Sequence, residues 1–224
     1  MKQKSFVRSL STKVKKASGR KLSSTRWLQR QLNDPYVREA ELRGYRSRAA
    51  FKLIEMDDRF KFLKKGSKII DLGAAPGGWT QVSLERVGPK GKVISVDIQE
   101  KWEGVPGAEC VKMDFTSDLA LDKLLRITNG SVDIVLSDMA AASTGHAKTD
   151  HLRIMSLAEL AWDFASQILL SNGVFVCKLL QGGAELSLLN SIKKNFSNVK
   201  HVKPPASRKD SSEMYLFAEG FKRL

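Results

Sequence analysis

A chain of 224 residues, 42% of them hydrophobic, has enough apolar material for one α/β domain with an extension, and is too short for two full domains and a linker. No apolar run approaches the roughly 20 residues that a membrane span needs, and the first residues lack the apolar stretch of a secretory signal, so the sequence predicts a soluble protein without a membrane partner. The formal net charge of +14 sits mostly at one end: residues 1–33 hold ten Lys or Arg and no acid, leaving +4 for the remainder.

Residues 1 to about 25 show no sustained apolar period and read as a basic, flexible N-terminal extension, with the folded domain over 26–224. A block of one charge repels itself and buries little until it meets a polyanion, whose released counterions drive binding, so nucleic acid is the expected partner. Arg, Lys and Ser without acids also describe a mitochondrial transit peptide, or a tail that serves solubility alone. Asp34 and Pro35 predict the cap and first turn of a short helix that ends at Arg43, before Gly44. Ser47 is placed to cap the next helix, whose Phe51, Leu53, Ile54 and Met56 give a partly apolar face. Arg46, Arg48 and Lys52 bring positive charge there, interleaved with Glu39, Glu41 and Glu55 as on an ordinary solvated helix face.

Strands are predicted over 68–72, 92–97, 109–112, 132–137 and 174–178, with helices over 78–87, 117–127 and 150–170 between them. That alternation predicts an α/β fold with a doubly wound, mostly parallel sheet. After a helix over 183–195 come two last strands, 198–203 and 213–218, joined by a polar loop too short for a helical crossover. The last of the seven strands therefore runs antiparallel to its neighbour. Cys110 and Cys177 fall in apolar strand-like runs and read as reduced core residues, which fits a reducing compartment. By the period of two, Cys177 faces away from Lys178. His146, His151 and His201 lack metal-ligand spacing, so no metal site is predicted.

Asp71 to Trp79 reads DLGAAPGGW: a strand end, a glycine turn and a helix start. Gly73, Gly77 and Gly78 suit a turn needing positive φ or close backbone approach by a ligand, with free helix N–H groups beside it. The G-x-x-x-G-G spacing departs from the dinucleotide fingerprint, yet Asp97 ends the second strand about twenty residues on, where a carboxylate accepts ribose hydroxyls. Ligands of open α/β sheets lie beyond the carboxyl ends of the strands. There the third strand leads to Asp114, the fourth ends at Asp138, the fifth at Lys178, and the inverted last strand begins at Glu213. An ammonium closing an apolar strand is costly unless it pairs or works, and a plain ion pair with Asp138 or Glu213 satisfies residue types alone.

DLGAAPGGW, together with Ser47-Arg-Ala-Ala-Phe-Lys-Leu53, Val135-Leu-Ser-Asp-Met139 and the set Lys52, Asp138, Lys178 and Glu213, resembles the FtsJ/RlmE family of ribose 2′-O-methyltransferases over about residues 24–219. The resemblance implies a Rossmann-like methyltransferase fold that uses S-adenosylmethionine (SAM). It implies catalytic roles for Lys52, Asp138, Lys178 and Glu213, and cofactor contacts from Gly77, Trp79, Asp97, Asp114 and Asp138. The implied substrate is a uridine ribose of 23S rRNA in the large ribosomal subunit, modified by a cytoplasmic monomer. A tRNA, a mitochondrial rRNA in the matrix, and a non-catalytic role in ribosome assembly stand as alternatives. Methyl transfer needs in-line positioning and removal of a weakly acidic ribose proton, for which Lys178 is the candidate acceptor. Burial and the second cation at Lys52 favour a neutral Lys178, the two carboxylates oppose it, and Lys178 steering the hydroxyl is the other division of labour. Asp114 has the alternative of capping the following helix, and Trp79 of packing the first helix on the sheet. Ala141 stands where the family often has proline, which predicts a looser loop after Asp138.

Overall fold

The computed structural model describes residues 12–14, 19, 22–117, 119–181 and 186–223. Helices α1 (Leu22–Leu32), α2 (Pro35–Arg43) and α3 (Ala50–Phe60) lead into β1 (Lys68–Leu72), α4 (Gly78–Val87), β2 (Lys92–Asp97) and β3 (Glu109–Lys112). Then follow α5 (Ala120–Thr128), β4 (Val132–Ser137), α6 (Ala147–Ile168), β5 (Leu169–Leu180), α7 (Leu186–Asn195), β6 (Phe196–Val202) and β7 (Glu213–Phe221). The strands form one sheet in the order β3-β2-β1-β4-β5-β7-β6. The pairs from β3 to β5 are parallel, and β7 lies antiparallel between β5 and β6, so the predicted α/β architecture with an inverted last strand holds. No helix among the described residues is long and apolar enough to cross a membrane.

Alternation along each strand makes two cores, one per face. Val135, Phe175, Cys177 and Leu216 pack with α5, α6 and α7, whereas Ile134, Val176, Tyr215 and Phe217 pack with α3 and α4. The period of two therefore turns Cys177 into the first core, and Lys178 to the face that α3 and α4 cover. Cys110 and Cys177 are both free thiols.

Helix α2 starts and stops where its sequence says it should. Asp34 accepts from the Tyr36 N–H at 3.1 Å, Pro35 sits in the first turn, and Gly44 closes the helix at φ 73°. Ser47, by contrast, does not cap α3. The N–H groups of Ala50, Phe51 and Lys52 bond back to the carbonyls of Ser47, Arg48 and Ala49, so the first turn meets its own needs through backbone.

Other boundaries move for similar reasons. Helix α1 begins at Leu22, inside the stretch read as unstructured; most of that stretch lies outside the described residues. Helix α5 begins at Ala120 rather than 117, and α6 covers 147–168 rather than 150–170. Strand β5 takes over at Leu169, which pairs with Val132 before the register shifts and resumes at Ile134↔Val174. The shift adds a short irregular start to a strand whose apolar run begins only at Val174.

Candidate active site

Strand β1 delivers the chain to Gly73, whose φ of 74° suits glycine alone, and a Cβ there would stand 2.7 Å from the Met139 Cα. The backbone of the turn thus lies directly against the end of β4. Beside it is a cavity of about 540 Å³ walled by the ends of β1 to β4 and by α6. Val96, Ile98, Met113, Phe115 and Leu157 give it an apolar wall, while Asp97, Asp114, Asp138 and Arg153 supply its charges. A cavity of this size with few polar groups suits a small nucleoside-like ligand.

Asp97 is buried and fixed by two backbone donors: Oδ2 accepts from the Ala75 N–H and Oδ1 from the Gln99 N–H, both at 2.9 Å. Each oxygen keeps a second lone pair for a ligand hydroxyl. Asp114 is exposed, and its Oδ1 accepts from the Thr116 N–H at 2.9 Å and hydroxyl at 2.7 Å, which hold its carboxyl below the usual range. It shapes its own turn and does not cap α5, which starts six residues later without a side-chain cap.

Gly77 and Trp79 are not brought to the cavity wall. Gly77, at φ 117°, has Val105 and Arg46 where a side chain would be. Trp79 is buried, donates from Nε1 to the Ala49 carbonyl at 2.8 Å, and lies 5.5 Å from the Tyr215 ring, so it packs α4 against α3 and the sheet. The Arg46 guanidinium ties this turn to the segment after β2, donating to the carbonyls of Pro76 at 3.1 Å, Gly104 at 3.0 Å and Glu103.

The four predicted catalytic side chains come together from α3, β5, β7 and the residue after β4, and Asp138 among them lines the cavity. Lys178 Nζ lies 2.6 Å from Asp138 Oδ1 and donates to the Asp138 carbonyl at 2.8 Å. Lys52 Nζ lies 2.8 Å from Glu213, whose Oε1 also accepts from the Ser207 hydroxyl at 2.9 Å. These two ion pairs are joined by a residue that sequence reasoning missed. The Tyr215 hydroxyl accepts from Lys52 Nζ at 2.9 Å and donates to Asp138 Oδ1 at 2.7 Å. The signal was present: Tyr215 stands two residues after Glu213 on one strand, hence on the same sheet face.

Two lysines and two carboxylates cancel in charge, which makes so enclosed a group tolerable. Burial works against ionisation of Asp138, but Lys178 and Lys52 overcome it and hold the carboxyl below its ordinary range. Burial first, and then the charges of Asp138 and Glu213, push the Tyr215 hydroxyl well above 10, so it stays a proton donor to Asp138.

Beneath the glycine turn, Asp71 is wholly buried. Its Oδ2 accepts from the Thr80 hydroxyl at 2.7 Å, and Thr80 Oγ1 lies 2.9 Å from Ser95 Oγ, while Oδ1 has no hydrogen-bond partner. Burial pushes its carboxyl up to about 7 despite the Thr80 bond, with the nearby charges of Asp138 and Asp97 adding to the rise.

The family described as FtsJ-like methyltransferase matches residues 45–221. The chain is 58% identical over 221 residues to the ribosomal RNA large subunit methyltransferase E of Rhodospirillum rubrum, covering 97% of this chain and 84% of that one. It is 57% identical to the protein of the same name from Paramagnetospirillum magneticum, covering 96% and 90%. Among solved structures, a ribosomal RNA methyltransferase from Plasmodium falciparum aligns with a TM-score of 0.71 at 34% identity, over 79% of this chain and 98% of that one. With the rim of strand ends, the paired lysines and carboxylates and these likenesses together, the chain belongs to the FtsJ-like methyltransferase family.

Proposed function

We propose that this protein transfers a methyl group from SAM to the ribose 2′-hydroxyl of a uridine in 23S rRNA of the large ribosomal subunit, acting as a monomer in the cytoplasm. The observation that carries this reading is the unbroken chain Glu213–Lys52–Tyr215–Asp138–Lys178, whose Asp138 also lines a nucleoside-sized cavity. The names of the relatives support the substrate class.

The residues present fit SAM. A Cβ at Gly73 would intrude on the passage beside Met139, the apolar wall suits a purine, and Asp97 offers both oxygens to a ribose diol. Asp138 and the acidic lining suit a ligand bearing a sulfonium and an ammonium. Asp97, Asp114 and Asp138 would hold SAM from the cavity wall, while Gly77 and Trp79 shape the turn and the helix behind it. When bound, SAM supplies an electrophilic methyl group.

The protein's own work is to hold the ribose oxygen in line and take its proton. Lys178 would accept the 2′-hydroxyl proton once it has shed the proton that its ion pair with Asp138 implies. Asp138 holds Lys178 Nζ in place through its side chain and carbonyl. Glu213 keeps Lys52 as the standing cation, and Tyr215 fixes the distance between the two pairs.

The test is to incubate the protein with labelled SAM and, separately, intact large subunits, naked 23S rRNA or tRNA, and to map the label to a ribose. Label on a 23S uridine that vanishes with Lys178→Ala bears the proposal out. Label that persists in that variant removes Lys178 as proton acceptor, and label confined to tRNA removes the substrate. Binding without transfer gives an assembly role instead.

A further inference from the structure

Residues 12–14 run alongside α1, held by two amide side chains one helical turn apart. Asn33 Oδ1 accepts from the Thr12 N–H at 2.8 Å, and Asn33 Nδ2 donates to the Thr12 carbonyl at 3.0 Å. Gln29 Nε2 donates to the same carbonyl at 2.5 Å, and Gln29 Oε1 accepts from the Val14 N–H at 3.1 Å. Gln29 lies in the last turn of α1 and Asn33 just past its end, and together they bind both backbone groups of Thr12 and the N–H of Val14.

The adjoining face of α1 meets the loop between β6 and β7. Gln31 accepts from Arg208 at 3.0 Å, and Arg30 lies 4.0 Å from Asp210, a long and exposed pair that restrains Arg30 little. That loop also carries Ser207, the donor to Glu213. A path of direct contacts therefore runs from Thr12 across α1 and the loop to the catalytic edge. Lys13, Arg30 and Lys209 are exposed along it, whereas Arg208 is half-buried and lies 3.5 Å from Asp34, which takes up its charge.

We infer that Gln29 and Asn33 form a clamp that seats residues 12–14 against α1, making Lys13, Arg30 and Lys209 one cationic track for the sugar–phosphate backbone of RNA. The inference rests on the RNA substrate argued above. A tail acting through charge alone would need no such clamp. Fixing the backbone beforehand lowers the ordering cost paid when the strand arrives. Phosphates neutralised along the track release counterions, so affinity depends on salt.

The clamp can be removed with every charge left in place, by Gln29→Ala with Asn33→Ala in the full chain. Three quantities are measured: SAM affinity, the rate of trypsin cleavage after Lys13, and affinity for a 23S rRNA transcript across a salt series. The expected result is unchanged SAM affinity, faster cleavage, and RNA binding weaker by about three- to tenfold with a shallower salt slope. With the clamp intact, Lys13→Gln is expected to lower the slope by about one. Wild-type cleavage and RNA affinity in the double variant would overturn the clamp, and so would a loss of SAM affinity, which would make the two amides supports of the fold. Wild-type protein that methylates no RNA would instead overturn the substrate reading, and the cleavage rate still reports on the clamp in that case.

Discussion

Tyr215 gives its hydroxyl hydrogen to Asp138 at 2.7 Å and takes one from Lys52 at 2.9 Å, so a single phenol couples two ion pairs contributed by four different elements. Tyr215→Phe keeps the packing against Trp79 and removes only this coupling. Losing a hydrogen bond to a charged group costs about 1.5–3 kcal/mol, so the methyl-transfer rate should fall by roughly 10- to 100-fold. Single-turnover rates check this, with SAM affinity unchanged as the accompanying outcome.

Asp138 gives stability a definite acid dependence. Its folded-state pKa lies below the unfolded value, so its contribution is complete above about pH 4 and is lost as pH falls through the depressed folded value. Asp138→Asn should be less stable than the wild type at neutral pH, and the difference should shrink as pH falls below about 4. Thermal midpoints measured across the acid range decide this.

Asp71 has the opposite sign. Its folded pKa, raised to about 7, means that the folded state resists ionisation, so stability from this group declines as pH rises from about 4 to 7 and is level beyond. A rise of about three pKa units corresponds to a loss on the order of 4 kcal/mol over that window. Asp71→Asn retains an acceptor for Thr80 and should remove the slope, although its new amide donor adds a constant cost. Denaturant midpoints at pH 5, 6, 7 and 8 separate slope from offset.

Gly73→Ala puts a Cβ 2.7 Å from the Met139 Cα in a backbone conformation at φ 74°. The strain alone is worth about 1–3 kcal/mol, and the required movement shifts the end of β4, which carries Asp138. The variant should melt at a lower temperature and bind SAM at least tenfold more weakly. Calorimetric titration with SAM checks the second outcome.

Most of this architecture was legible in the sequence because strand ends and glycine turns are local signals. Asp97 closes a strand, Asp138 follows one and Glu213 opens one, Lys178 stands two residues before the end of β5 rather than at its predicted end, and the parallel strands with the inverted β7 bring these positions to one edge. Less legible was whatever depends on packing between distant segments. Tyr215 reads as an ordinary strand aromatic until the pairing of β7 with β5 and the approach of α3 place Lys52 and Asp138 on either side of it. Ser47 looks like a cap, but backbone bonds fill that role, and its hydroxyl lies buried where α3 meets α4. Helix α1 was not predicted at all, because Ser23, Ser24 and Thr25 are weak helix formers and the segment offers few apolar positions.

Inserting β7 between β5 and β6 also sets an order of assembly during synthesis. Every residue lining the cavity lies between Gly73 and Leu160, whereas Glu213 and Tyr215 belong to β7, the last strand of the sheet. A nascent polypeptide that has emerged only as far as α7 thus already contains the whole cavity wall and the Asp138–Lys178 pair, while Lys52 has neither the carboxylate nor the phenol it bonds to. The transferase is completed by its last strand, so C-terminal truncation should uncouple ligand binding from turnover well before it erases binding.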